Sequence, residues 1–367
     1  MTTLNDLYDV HGQSPWIDNI RRDWLNDGTL ARLVREGVRG VTSNPSIFAK
    51  ALATSSAYDD AVRAHSELDT EALFEALAVT DVRDACDVLA TVHDASRSDA
   101  GRRHRDGYVS LEVSPLLARD TEGTIAAARR LFAEVGRPNV MIKIPATREG
   151  LPAITTALGA GINVNVTLIF SIERYAEVLN AWVAGLSAAR AAGRDLTAIA
   201  RVASFFVSRV DVAVDALLPE GDGRRGTVAN AQVAAAYGLY LERVAREDVT
   251  GLLDEGAQVQ RPLWASTSTK NPAYNDLLYV NHLVAPETVN TMPEATLDAY
   301  LDHGDPTQSL LKDPARREHA VAVLATLAPA VDLDAVTTHL EDEGVAAFAA
   351  SYHELLATLE AKVVATR

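Results

Sequence analysis

The chain alternates short apolar runs with longer amphipathic stretches over most of its length. The apolar runs are rich in Val, Ile and aromatic residues, and several end in turn-forming residues, which is typical of buried β-strands. Between the runs, apolar residues recur at helical spacing. Eight runs qualify as strands, those at the two ends of the chain least clearly: 14–20, 37–45, 108–115, 139–147, 162–170, 199–208, 261–269 and 281–286.

The stretches between the strands carry ordinary helix start and stop signals. Residues 120–136 have acidic side chains at their start and Gly136 at their end. Residues 171–193 begin with Ser171 and also end in glycine, and residues 229–249 predict a further long helix. Strands that alternate with helices favour a parallel sheet, and eight such units fit a (β/α)8 barrel, which typically takes about 250 residues.

We therefore predict an α/β protein built as a single (β/α)8 TIM barrel with additional helices. A doubly wound open sheet is the alternative, but no strand is followed by a G-x-G-x-x-G turn or by a P-loop. No Pro/Ser-rich linker is visible, so we expect one domain over residues 1–367, with C-terminal helices (about 310–367) packed on the barrel. Segments 97–107 and 218–226 combine charge with glycine and predict solvated loops.

The charge balance narrows the choice of partners. The 367 residues include 34 Lys and Arg against 50 Asp and Glu, which gives a formal net charge of −16. Nucleic acids and anionic membranes require a basic face, so we expect neither as a partner, although a small basic pocket remains compatible with this charge. The N-terminus lacks the apolar core of a signal peptide, and no apolar run approaches the ~20 residues that span a bilayer. We therefore expect a cytoplasmic protein. The sequence does not distinguish a monomer from a homodimer.

The single cysteine, Cys86, excludes an internal disulfide and a cysteine-based metal cluster. Its helical spacing with Val82 and Leu89 predicts a small buried residue on a helix.

Lys143 is the most informative residue, because it lies inside the apolar strand 139–147 between Ile142 and Ile144. Burial of a charged amine is expensive unless the amine is paired, and it favours the neutral form. A neutral lysine amine can attack a carbonyl carbon and form a Schiff base. The alternative is a lysine at a strand end that reaches water or pairs with a carboxylate.

Polar residues also interrupt the two neighbouring strands. Glu112 lies in the strand before Lys143, and Asn165 and Thr167 lie on one face of the strand after it. In a barrel, Glu112, Lys143 and Thr167 come close together if all three point inward, and a carboxylate and a hydroxyl beside an amine can relay protons through a water. The structural alternatives are an ion pair with Lys143 for Glu112 and a β-branched strand former for Thr167.

Asp18 and Asn44 are more ambiguous candidates. Asp18 lies in the first strand candidate and could accept the hydroxyl proton that is lost when a neighbouring C–C bond breaks. Taken alone, it is more typical of a loop or a helix cap. Asn44 precedes Pro45, and an Asn-Pro pair is more typical of a turn.

The ends of the sixth and seventh strands collect groups that suit an anionic ligand. Arg209 follows the sixth strand, which also contains Ser204. The seventh strand ends in a run of hydroxyl residues and a cation: Ser266, Thr267, Ser268, Thr269 and Lys270. Such groups late in a barrel suit phosphate binding, whereas the alternative is a run of helix N-cap residues.

Six motifs occur in an order that resembles the transaldolase family, which comprises class I Schiff-base enzymes of the pentose phosphate pathway. The motifs are GVTSNPSIF, SLEVSP, MIKIPAT, NVNVTLIFS, VASFFVSRVD and LWASTSTKNPAYND. The resemblance covers about residues 14–300, and the TSTKNP and VNTMP segments are similar to those of the longer bacterial type.

The resemblance implies a (β/α)8 barrel with Lys143 as the Schiff-base lysine on the fourth strand. Asp18 matches the family's acid/base residue for C–C cleavage, and Glu112 and Thr167 match the residues that orient a water. The family's ligands for substrate hydroxyls and phosphate match Asn44, Asn165, Ser204, Arg209 and Ser266.

One position departs from the family pattern. Many transaldolases have a second phosphate arginine where this chain has Ser268, and the nearest cation is Lys270. We expect Lys270 to supply that charge, as a point charge where arginine could bind through two parallel hydrogen bonds.

The implied reaction is reversible transfer of a dihydroxyacetone unit between small sugar phosphates. The donor is sedoheptulose 7-phosphate or fructose 6-phosphate, and the acceptor is glyceraldehyde 3-phosphate or erythrose 4-phosphate. Neither a metal nor an organic cofactor is expected, because the protonated imine accepts the electrons. Two alternatives stay open: a fructose 6-phosphate aldolase, which hydrolyses the Schiff base, and a non-catalytic barrel that binds sugar phosphates.

Overall fold

A computed structural model describes residues 3–97 and 102–366 of the chain. Eight strands form a closed barrel in sequence order, and every neighbouring pair is parallel, including the first strand with the eighth. The predicted (β/α)8 barrel is confirmed. The strands are β1 (Gln13–Ile17), β2 (Gly40–Val41), β3 (Tyr108–Glu112), β4 (Val140–Pro145), β5 (Val164–Ile169), β6 (Arg201–Phe206), β7 (Arg261–Ala265) and β8 (Thr288–Met292).

Helices connect the strands and extend beyond the last one. In chain order they are α1 (Leu4–Asp9), α2 (Arg22–Asn26), α3 (Thr29–Glu36), α4 (Pro45–Thr54), α5 (Asp59–Ala64), α6 (Thr70–Arg97), α7 (Thr121–Val135), α8 (Gly150–Gly159), α9 (Ile172–Ala191), α10 (Ser208–Leu217), α11 (Val228–Val244), α12 (Glu247–Asp254), α13 (Leu278–Asn281), α14 (Glu294–His303), α15 (Pro314–Ala325) and α16 (Leu333–Thr366). Short 3-10 helices span Pro115–Leu117, Leu196–Ala198 and Pro306–Gln308.

The predicted start and stop signals operate as capping interactions. The Asp120 side chain accepts a hydrogen bond from the Gly123 amide at the start of α7, and Gly136 ends that helix with φ 61°. Ser171 caps α9 in the same way. Each cap satisfies a backbone amide that a helix terminus otherwise leaves unpaired.

The prediction of a strand at 281–286 is wrong, because α13 ends at Asn281 and β8 begins at Thr288. The apolar run is nevertheless buried at Leu283, Val284 and Ala285. The Leu283 carbonyl accepts from the side chains of Gln13 and Trp264 and not from a strand ladder. Side-chain donors therefore satisfy this buried backbone without a β-strand.

The single helix predicted over 229–249 is also wrong in extent. Helix α11 ends at Val244, Arg246 is extended, and α12 begins at Glu247. The acidic pair Glu247 and Asp248 favours a new helix N-terminus at this point.

Segment 218–226 is a loop, as expected. The prediction of a solvated loop at 97–107 is wrong at Arg97, which ends α6, and at His104 and Asp106, which are buried. Residues 98–101 lie outside the described residues.

The barrel strands are buried on both faces, which is usual for parallel sheets covered by helices. Cys86 is buried on α6 with Val82 and Leu89, as predicted. Beyond the barrel, α15 packs against α11, and α16 packs against α4.

Candidate active site

A cavity of about 700 Å³ opens at the carboxyl-terminal end of the barrel strands. Active sites of (β/α)8 enzymes lie at this end. Eight of the ten residues predicted from sequence line the cavity: Asp18, Asn44, Lys143, Thr167, Ser204, Arg209, Ser266 and Lys270. The other two, Glu112 and Asn165, lie next to lining residues, since both pair with Lys143 across the sheet.

Lys143 points into the cavity from β4 and is only 5% exposed. Its Nζ donates to the Ser43 carbonyl at 3.1 Å and lies 3.8 Å from Glu112 Oε2. The ion pair that the sequence left as an alternative therefore exists, but as a long contact. The amine also remains open to the cavity, where a substrate carbonyl can reach it.

Glu112 and Thr167, on the strands either side of Lys143, each have a side-chain oxygen without a hydrogen-bond partner among the described residues. Glu112 Oε2 and Thr167 Oγ1 are buried and have no hydrogen-bond partner among the described residues. Burial raises the pKa of Glu112 to about 7, with Asp18 adding to the rise and Lys143 opposing it. A carboxyl group that titrates near neutral pH can both take and give a proton, which is what formation and hydrolysis of an imine need.

The backbone of β5 is irregular near Thr167. Its register with β6 shifts between Val166 and Ile169, and Leu168 has a positive φ of 60°. Bulges of this kind redirect a side chain near active sites. Thr167 precedes Leu168 and lies in the shifted segment.

Asp18 directly follows β1, and its carboxylate accepts from Thr42 Oγ1 at 2.6 Å. Burial raises its pKa, while Lys143, the Thr42 hydrogen bond and Lys270 lower it. The next helix, α2, begins after Arg21, so Asp18 is not a helix cap. The carboxylate is thus oriented in the same cavity as Lys143 and has a raised proton affinity.

Asn44 caps a helix and also lines the cavity. Its Oδ1 accepts from the Ile47 amide at 3.0 Å and so caps α4, while the residue also lines the cavity. Asn165 is fully buried between two serines: its amide donates to Ser110 Oγ at 2.9 Å and accepts from Ser204 Oγ at 2.7 Å. Asn165 therefore supports Ser204, which is the member of this group in the cavity wall.

The positive side of the cavity lies beyond β6 and β7. Arg209 is the second residue of α10, and the Ser266 hydroxyl lies 3.0 Å from that of Ser208. Lys270 Nζ donates to Ser268 Oγ at 2.6 Å. Arg209 and Lys270 line the same cavity, where burial and then the positive charge of Arg209 lower the pKa of Lys270. Two adjacent cations and two hydroxyls suit a phosphate dianion.

Comparisons with known proteins agree with this chemistry. The family model described as Transaldolase/Fructose-6-phosphate aldolase matches residues 15–359. The chain belongs to this family. Among curated relatives, it is 49% identical over 356 residues to "Transaldolase" from Thiobacillus denitrificans, covering 95% of this chain and 97% of that one. It is 50% identical over 363 residues to "Transaldolase" from Thermobifida fusca, covering 96% of each chain.

This member of the transaldolase/fructose-6-phosphate aldolase family has cavity residues that sequence reasoning missed. Thr42, which orients Asp18, belongs to the TSNP motif and could have been found there. Arg21 and Lys50 add positive charge to the wall. Phe348 comes from α16, and its ring centroid lies 5.7 Å from Lys143 Nζ. An apolar residue so far along the chain gives no sequence signal for a place in the cavity.

No group of three or more His, Cys, Asp or Glu side chains in residues 3–97 and 102–366 is arranged to hold a metal ion. Within the same ranges, no helix combines the length and the apolar character needed to cross a membrane.

Proposed function

We propose that the protein is a transaldolase that transfers a dihydroxyacetone unit from sedoheptulose 7-phosphate or fructose 6-phosphate to glyceraldehyde 3-phosphate or erythrose 4-phosphate. The observation that carries the proposal is the buried amine of Lys143, which has a carboxyl group titrating near pH 7 beside it. The curated relatives, which carry the name transaldolase, support the same reaction.

In the first step, the Lys143 amine attacks the ketone carbon of the donor and forms a carbinolamine. Loss of water then gives a protonated imine. Glu112, 3.8 Å from the amine, and Thr167, on the next strand, are the groups proposed to move the required protons through a water. The raised pKa of Glu112 suits this role, because the group can exchange a proton near neutral pH.

In the second step, Asp18 takes the proton of the C4 hydroxyl. The C3–C4 bond breaks, its electron pair moves into the imine to form an enamine, and an aldehyde phosphate leaves. The Thr42 hydrogen bond holds the Asp18 carboxylate in place. Transfer reverses these events: the enamine attacks the acceptor aldehyde, Asp18 returns the proton to the new hydroxyl, and water releases the product from Lys143.

We assign the phosphate of donor and acceptor to Arg209, Ser266 and Lys270. Asn44 and Ser204 are the proposed partners of the sugar hydroxyls, with Asn165 holding Ser204. Lys270 lies in the loop after β7, donates to Ser268, and is proposed to supply the charge that Ser268 lacks. No step calls for a metal or an organic cofactor, since the imine accepts the electron pair.

We also propose that the chain works in the cytoplasm as a single domain, as a monomer or a homodimer. Sugar phosphates are its proposed small-molecule partners.

Fructose 6-phosphate aldolase is the second candidate, because the matching family model covers both activities. The two differ in the fate of the enzyme-bound fragment. We would measure glyceraldehyde 3-phosphate release from fructose 6-phosphate with and without erythrose 4-phosphate. A transaldolase stops after one turnover unless the acceptor is present, whereas sustained turnover that ignores the acceptor would identify the aldolase.

A further inference from the structure

Helix α16 is not part of the barrel, yet it crosses the mouth of the cavity. Near its start, Glu341 pairs with Arg174 of α9 at 3.2 Å. Further along, Ser351 accepts from Ser46 of α4 at 2.8 Å, and Lys362 pairs with Asp59 of α5 at 2.6 Å. The helix is therefore fixed on both sides of the mouth, from the helix after β5 to the helices after β2.

The helix approaches the strand ends closely. A Cβ atom at Gly344 would lie 3.0 Å from Leu168 Cδ2, so the glycine allows α16 to rest on the end of β5. One helical turn later, Phe348 points into the cavity and is 6% exposed. Its ring centroid is 5.7 Å from Lys143 Nζ, within the range in which an aromatic face attracts a cation.

We infer that Phe348 is a specificity-determining residue that keeps bulk water from the three-carbon fragment on Lys143, and thereby favours transfer over release of free dihydroxyacetone. The inference rests on the proposed transaldolase function. The ring has no group that can donate a proton or form a hydrogen bond. It lies over the amine from α16, a helix outside the barrel.

Release and transfer compete for the same enamine. In transfer, the nucleophilic carbon forms a bond to the acceptor aldehyde. In release, that carbon takes a proton from water, a second water adds to the imine carbon, the C–N bond breaks, and dihydroxyacetone leaves while the Lys143 amine is restored. Limiting bulk water slows the protonation that commits the fragment to release, and closed active sites commonly protect reactive intermediates in this way.

The test is the ratio of acceptor-independent dihydroxyacetone release to acceptor-dependent transfer, measured for the full chain with fructose 6-phosphate. We expect Phe348→Ala to raise this ratio about tenfold, and Phe348→Val to raise it by a smaller factor. Phe132→Ala is the matched control, because Phe132 lies on α7, packs against the core and is absent from the cavity wall. This control should keep the wild-type ratio.

Two outcomes would overturn the inference. One is an unchanged ratio in a folded Phe348→Ala protein or, if that protein does not fold, in Phe348→Val. The other is an equal rise in Phe132→Ala, which would indicate a general loss of stability. Failure of the proposed function would look different: wild-type protein would give neither a borohydride-trapped adduct with fructose 6-phosphate nor any transfer to erythrose 4-phosphate.

Discussion

Glu112 illustrates how a single residue obtains its chemistry from its surroundings. Glu112 is the last residue of β3, and its Oε2 lies 3.8 Å from Lys143 Nζ and has no hydrogen-bond partner among the described residues. Burial favours the neutral acid more strongly than Lys143 favours the carboxylate, so the pKa rises from 4.5 to about 7. The protein keeps this destabilising environment because, in the proposed mechanism, a proton must be both taken and given at this place.

Glu112→Gln should change how stability depends on pH. The folded protein retains a proton on Glu112 up to about pH 7, whereas the unfolded chain loses it near pH 4.5. Stability from this group is thus fully present below pH 4.5 and is lost as pH rises through about 7. The unfolding free energy of wild type should fall as the pH rises from 5 to 8. Since glutamine cannot ionise, the fall in the variant should be smaller by about 2 kcal/mol.

Urea denaturation at the two pH values measures this difference. Glu354→Gln on the exposed face of α16 is the control and should follow the wild type. Identical pH dependence in Glu112→Gln and wild type would contradict the assigned environment. The variant should also lose most transfer activity at every pH, because an amide cannot accept the proton.

Much of this chemistry can be predicted from sequence, since charged or polar residues inside apolar strands stand out. Lys143, Glu112 and Thr167 are visible for that reason. Phe348 is not, because a phenylalanine at helical spacing is indistinguishable from a core residue until α16 is placed over the cavity. The resemblance implies that Asn165 is a substrate ligand, whereas the structure buries Asn165 and places its partner Ser204 in the cavity wall. Which of the two residues faces the cavity depends on their depth within the barrel.

At the scale of elements, two hydrogen bonds tie the segment after β7 to α10. Tyr279 donates to Asp211 at 2.8 Å, and Tyr274 donates to Asp215 at 2.6 Å. The two aspartates are one turn apart on α10, and Arg209 is the second residue of the same helix. The tyrosines therefore hold the loop that carries Lys270 in a fixed position relative to Arg209.

Tyr279→Phe should raise KM for phosphorylated substrates about fivefold, the equivalent of one lost hydrogen bond, and leave kcat nearly unchanged. KM for an unphosphorylated donor should not change, because the proposed role of this loop is confined to the phosphate. Steady-state kinetics with paired donors measures this. Tyr300→Phe is the matched control, since the Tyr300 hydroxyl has no hydrogen-bond partner in the described part of the chain. Equal effects on both donor types would contradict the positioning role.

Elements with clear caps are the ones the sequence predicts well. Helices α7 and α9 begin at Asp120 and Ser171 as expected, because their start signals are local. The strand predicted at 281–286 is wrong because its burial depends on side chains from β1 and β7, distant in sequence. The break between α11 and α12 involves neither glycine nor proline, so the pattern of apolar residues continues across it.

Across the whole molecule, the candidate active site lies at one end of the barrel and a buried ion-pair cluster lies at the other. The carboxyl-terminal end holds the cavity, with unpaired polar atoms. At the opposite end, the wholly buried Asp106 pairs with Arg261 and Arg39 at 3.2 Å and accepts from Trp16 at 2.9 Å. Burial alone would raise the pKa of Asp106, but Arg261, Arg39, His104 and a hydrogen bond from Ser14 together lower it to about 2.

Asp106→Asn should destabilise the protein by about 3–5 kcal/mol, because it leaves the buried Arg261 without its charge partner. The folded variant should keep wild-type kcat/KM, as Asp106 lies far from the cavity. Asp18→Asn should show the opposite: nearly unchanged stability and loss of C–C cleavage. Denaturation curves and kinetics on the same samples test both, and a large activity loss in folded Asp106→Asn would refute the separation.

Trapping of the Schiff base tests the central claim, that Lys143 is the nucleophile, most directly. The protein is incubated with fructose 6-phosphate, treated with borohydride and digested with trypsin, and the peptide masses are measured by mass spectrometry. We predict a reduced dihydroxyacetone adduct on Lys143 and its complete absence from Lys143→Arg. An adduct on a different lysine, or an active protein that yields no adduct, would contradict the assignment.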